Sequence, residues 1–142
     1  MHRYRCRVYY EDTDAGGVVY HARYLGMAER ARTEAMRAAG MPHAELLAEH
    51  GLMFMVRRIE MEYLRPARID EELEVVTESV ALGAATATLR QDFWAGDRHL
   101  VALRIELACV RQRDGKPARI PSRWKQGLAP SETGPGGTRT EG

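Results

Sequence analysis

Cysteine is scarce in this chain: Cys6 and Cys109 are the two in 142 residues. Both fall in strand-like segments with nothing beside them that signals a disulfide or a reactive thiol, so two buried free thiols are expected. An excess of either charge is also lacking. The 21 basic and 20 acidic residues leave a formal net charge of +1, so no strong field for nucleic acid or a lipid surface is present. No apolar run approaches the ~20 residues of a membrane span. The first residues, Met1 to Cys6, lack the apolar stretch of a signal peptide, and a cytoplasmic location is expected. What is present, 44% hydrophobic and 29% charged residues, reads as one globular domain with one core.

The pattern along the chain is one of strands around a long helix. Tyr4 to Tyr10 reads as a first strand. His21 to Ala39 has helical spacing, with Tyr24, Ala28, Ala31, Ala35 and Ala39 on one face and Leu25 and Met36 beside it. At ~1.5 Å per residue this helix is about 28 Å long, enough to cross a sheet. Gly40 stops it, and its alanine-rich stripe suits close approach to a curved surface. A short helix follows over His43 to Glu49. Leu52, Phe54 and Val56 then alternate, as do Ile59, Met61 and Tyr63, one residue out of phase, so Arg57-Arg58 marks a bulge or bend. Leu73 to Ala81, Ala85 to Trp94 and Leu100 to Arg111 read as three more strands. Short turns join them, which makes them antiparallel. Pro121 to Leu128 reads as a terminal helix. The segment 129–142 has no large apolar residue and is expected to be a flexible tail. A five-stranded antiparallel sheet wrapped around one long central helix, an α+β class, is the hotdog arrangement. It occupies 1–128 and leaves a sheet edge for a second copy to cover, so a homodimer or a pair of dimers is expected.

The most informative run is Tyr9-Tyr10-Glu11-Asp12-Thr13-Asp14-Ala15-Gly16-Gly17-Val18-Val19-Tyr20-His21, which joins the first strand to the long helix. It places carboxylates, two glycines and a histidine at a helix N-terminus, where unpaired N–H groups and a partial positive charge gather. A carboxylate beside such donors suits acyl transfer. The acid activates or supplies the nucleophile, and the N–H groups hold the developing oxyanion. Gly16 and Gly17 serve a tight turn and let backbone approach a substrate. Asp12 is read as stabilising the loop. Asp12-Thr13-Asp14 lacks the further oxygen ligands and late Glu of a calcium loop, so no metal is expected. Glu29 is the rival carboxylate on the helix, and its plain role is a surface pair with Arg32.

The stretch Arg7 to Glu34, RVYYEDTDAGGVVYHARYLGMAERARTE, closely resembles the bacterial hotdog acyl-CoA thioesterases encoded beside the Tol–Pal envelope system. It is similar, more distantly, to 4-hydroxybenzoyl-CoA thioesterase. The resemblance covers about residues 4 to 128. It implies hydrolysis of acyl-CoA without metal or cofactor. It implies that Asp14 is the catalytic acid, that His21 marks the helix-start N–H polarising the thioester carbonyl, and that Tyr10 lines the site. It further implies acyl carrier protein or phospholipid-synthesis enzymes as partners of some members. In the better-known relatives, basic residues between the third and fourth strands hold the CoA phosphates. Here that turn, Ala81-Leu82-Gly83-Ala84-Ala85, has none. Arg57, Arg58, Arg65 and Arg68 are the candidates in their place; failing these, the acyl donor is a carrier protein. A hotdog dehydratase would need a shorter Asp-to-His motif containing Asn-Pro, which does not occur. The remaining alternative is an adaptor of the same fold that binds carrier protein or an envelope complex, alone or alongside catalysis.

Overall fold

A computed structural model describes residues 1–130 of the chain. Five strands form one sheet: β1 (His2–Arg7), β2 (Leu52–Tyr63), β3 (Glu72–Leu82), β4 (Thr86–Ala95) and β5 (Arg98–Arg111). Their spatial order is β1-β3-β4-β5-β2, and every neighbouring pair is antiparallel. Three helices accompany them: α1 (Arg23–Ala38), α2 (His43–His50) and α3 (Ser122–Leu128). The sheet curls around α1 as the alternation of its strands implies. Leu103, Ile105, Leu107 and Cys109 share the buried face of β5, with Leu89 and Phe93 of β4 beside them. The phase change read at Arg57 is a register shift between Val56 and Arg58 in the pairing of β2 with β5.

The buried stripe of α1 is Tyr24, Met27, Ala28, Ala31, Arg32 and Met36. It is rotated slightly from the expected face: Ala39 and Leu25 are exposed, and Met27 and Arg32 turn inward. The ring of Tyr24 packs edge-on against Phe93 at 5.3 Å between centroids. Fully burying such a side chain contributes about 1.5–3 kcal/mol. The helix closes where Gly40 was expected to end it. Gly40 has φ +76°, its N–H donates to Arg37 O at 3.0 Å, and the Met41 N–H reaches back to Met36 O at 2.8 Å. This paired arrangement satisfies two end carbonyls and needs a left-handed residue that glycine adopts without penalty.

Cys109 is buried as expected, whereas Cys6 on the edge strand β1 is only half-buried. Burial, with the Asp12 carboxylate nearby, pushes the Cys6 thiol up to about 11, which makes it a poor nucleophile at neutral pH. No helix among the described residues is long and apolar enough to cross a membrane. Most of the expected tail, from residue 131 on, lies outside the described residues; Ala129 and Pro130 are exposed. Deleting residues 130–142 is expected to leave the melting temperature and turnover nearly unchanged, because the segment brings nothing large and apolar to a core. A drop of several degrees on thermal unfolding would show that it packs.

Candidate active site

The chain leaves β1 through Val8, whose N–H donates to Glu71 O at 2.9 Å and whose carbonyl accepts from the Asp70 N–H at 2.8 Å. The first strand does not run on to Tyr10. Asp12 Oδ2 accepts the Tyr9 N–H at 2.8 Å, and residues Tyr10–Asp12 fold into a single 3₁₀ turn. A local side-chain acceptor outcompetes the sheet ladder there. Tyr10 therefore stands 82% exposed instead of packing in a strand. The other oxygen of Asp12 accepts from Arg23 Nε at 3.1 Å and Nη2 at 2.9 Å. Asp12 thus ties the loop to the first turn of α1.

Thr13 and Val19 then pair across a tight loop. Asp14 N–H donates to Val18 O at 2.9 Å, and Gly17 N–H donates to Asp14 O at 3.0 Å. Gly17 has φ +79°, the left-handed residue that a three-residue hairpin loop requires. The Gly16 N–H donates to Asp14 Oδ1 at 2.8 Å, and a Cβ on Gly16 would sit 3.2 Å from that same oxygen. The loop therefore orients the Asp14 carboxylate through one oxygen, and the group keeps lone pairs for a further partner. Asp14, Tyr10, Thr13, Ala15, Gly17 and Ile69 line one open cavity of about 450 Å³.

His21 is not among the residues lining that cavity. The helix begins at Arg23, two residues later than expected, because Tyr20 to Arg23 closes as a separate turn with Arg23 N–H donating to Tyr20 O at 2.8 Å. Helix starts often tighten in this way. His21 is exposed on this turn, its ring 4.4 Å from that of Tyr20 between centroids. Its carbonyl accepts from the Tyr63 hydroxyl at 3.1 Å. Tyr63, the last residue of β2, is in the sequence only one member of an alternating strand face. Its role in fixing the turn before α1 comes from the pairing of β2 with β5, which no local pattern announces.

The arginines split into two groups. Arg57 and Arg58 lie at the bulge of β2. Arg57 sits 3.6 Å from Glu106 and Arg58 2.7 Å from Glu60. Arg58 lines a different cleft, with Glu60, Thr88, Arg104 and Glu106. The fold does not bring these two arginines to the Asp14 cavity within one chain. Arg68 stands closer: its backbone bridges Val18, and it precedes Ile69 of the cavity lining. Glu29 is exposed on α1. Its expected surface partner is not available, since Arg32 is buried and donates to Gln91 Oε1 at 3.0 Å. Helical spacing put the two on one face, but Arg32 reaches inward, where Gln91 offers a buried acceptor. Among the described residues no group of three or more His, Cys, Asp or Glu side chains is placed to hold a metal ion.

An oriented carboxylate on the loop between the first strand and a long helix gripped by a curled antiparallel sheet defines a class of proteins. Residues 16–102 match the thioesterase superfamily, and the chain belongs to that superfamily. It is 42% identical over 119 residues to the acyl-CoA thioesterase YbgC of Haemophilus influenzae, covering 84% of this chain and 88% of that protein. The acyl-CoA thioester hydrolase YbgC of Escherichia coli O157:H7 is 39% identical over 122 residues, with 85% and 90% covered. The crystal structure of a probable thioesterase from Bartonella henselae superposes with a TM-score of 0.79 at 39% identity, covering 84% of this chain and 98% of that one.

Proposed function

We propose that this protein hydrolyses acyl-CoA thioesters to the free acid and CoA, with Asp14 acting as general base on water or as the attacking nucleophile. The observation that carries this reading is the placement of Asp14. It is exposed in an open cavity, held by the Gly16 N–H, on a loop that leads directly into α1. The thioester carbonyl accepts hydrogen bonds from the unpaired N–H groups that a helix start offers near His21. The thiolate leaves readily, so the imidazole of His21 is not needed as an acid. Tyr10, Gly16 and Gly17 shape the acyl end of the site. The names of the YbgC relatives support the substrate class. A panel of acyl-CoA substrates assayed for released thiol tests it. No turnover on any chain length, with tight binding to acyl carrier protein, would favour the adaptor instead.

The CoA phosphates are assigned to Arg57, Arg58, Arg65 or Arg68. Charge-assisted hydrogen bonds to phosphate are strong and lie far from the reacting carbon. Replacing the responsible arginine with Ala is expected to raise KM more than it lowers kcat. Unchanged KM in all four single variants would remove the assignment.

The working form is a cytoplasmic homodimer or a pair of dimers. β2 is an edge of the sheet, 12 residues long, with Met53, Met55 and Val56 exposed by 37%, 48% and 46%. Unpaired edge backbone with an exposed apolar stretch over residues 53–56 is a template for pairing with another strand. Sedimentation at micromolar concentration is expected to show a dimer or tetramer; a monomer alone would contradict it.

A further inference from the structure

A second cavity, of about 470 Å³, opens at the opposite end of α1 from the Asp14 loop. It is lined by Ala35, Met36 and Ala38 of α1, by Met41, and by Leu128 of α3. From Arg23 to Ala38 the helix rises roughly 22 Å at 1.5 Å per residue, so the two cavities are separate. The walls are largely apolar, but five polar side chains also line it: His2, Arg32, Thr77, Glu78 and Ser79. Glu78 is neutralised by Arg90 at 3.0 Å and the Ser79 hydroxyl donates to Leu128 O, which leaves Arg32, Thr77 and His2.

Arg32 is the informative one. It is only 8% exposed and donates one Nη1 hydrogen bond to Gln91. A guanidinium carries five N–H donors, and no described residue forms an ion pair with it; Glu29 attracts it from longer range. A buried cation without a counter-charge is costly unless something anionic completes its shell. Thr77 is buried too; its hydroxyl accepts from Gln91 Nε2 at 3.0 Å, which leaves its own proton to donate. His2 Nδ1 is buried and has no hydrogen-bond partner among the described residues. Three underused polar groups thus border one apolar-walled space of ligand size.

We propose that this cavity binds a small monocarboxylate with an apolar body, its carboxylate on Arg32 with Thr77 and His2 beside it, and its body against Met36, Met41 and Leu128. The free acid released by thioester hydrolysis has this chemistry, so on the proposed activity the site senses product at a distance from the reacting centre. That link rests on the thioesterase reading; the binding itself does not, and its test uses no turnover.

The probe is octanoate, titrated into the full chain with its methionine methyl groups labelled with carbon-13. The Met36 and Met41 methyl signals are expected to move saturably, while Met53 and Met55 on β2 stay in place. Acetate, which lacks the body, and 1-octanol, which lacks the charge, are expected to bind at least 10-fold more weakly. Arg32→Met should weaken octanoate binding at least 10-fold. Ala38→Trp, at an exposed position on the cavity wall, should do the same with the Arg32–Gln91 contact intact, and it decides the matter if Arg32→Met fails to fold. Asp14→Asn should leave the shifts unchanged. Still Met36 and Met41 signals at millimolar octanoate would overturn the proposal. So would octanol binding as tightly as octanoate, or binding undiminished by Ala38→Trp.

Discussion

Asp14→Asn is expected to lower kcat by roughly 100-fold or more, the usual scale when a general base is lost. The substitution keeps the shape of the side chain and an oxygen able to accept the Gly16 N–H, which now lies at 2.8 Å. The loop geometry around Gly17 should therefore survive, and circular dichroism should match the parent. What disappears is the negative charge and the basicity. Substrate binding should persist, because the helix-start donors are untouched. Glu29→Gln is the matched control. Glu29 is exposed on α1 and does not line the Asp14 cavity, so that variant should keep most of its activity. Full activity in Asp14→Asn, or a larger loss in Glu29→Gln, would move the chemistry onto the helix.

The second large effect is on stability. Gln91 is fully buried. Its amide accepts from Arg32 and donates to Ala28 O and Thr77 Oγ1, each at 3.0 Å. It thereby clasps β4 to α1 and to β3. Gln91→Ala removes three hydrogen bonds, one of them to a charged group, and leaves Arg32 buried without its acceptor. A loss of about 3 kcal/mol or more is expected, lowering the melting temperature by roughly 10 °C. Replacing both polar partners at once, as Arg32→Met with Gln91→Leu, should recover part of that loss, since no buried group is then orphaned. A double variant no more stable than Gln91→Ala would show that the cost comes from packing alone.

The elements and their order are legible in the local pattern of residues. Alternation in β3, β4 and β5, the short turns at Gly83 and Gly96, and the stop at Gly40 are local, and their physics is complete within a few residues. The phase slip at Arg57 was legible for the same reason. So was the hairpin loop in outline, because two adjacent glycines between an acidic run and a helix leave few conformations open. Other features depend on partners far apart in the chain. Arg32 looked like a surface residue until Gln91, 59 residues away, gave its guanidinium a buried acceptor. Tyr10 looked like strand until Asp12 and Arg23 pulled the loop into a 3₁₀ turn. The arginines at 57 and 58 could be named from charge alone, but their distance from the Asp14 cavity follows from the position of β2 at the far edge of the sheet. Sequence periodicity reports which way a side chain faces on its own element. It carries no information about which distant acceptor, carboxylate or aromatic ring will be waiting on that side.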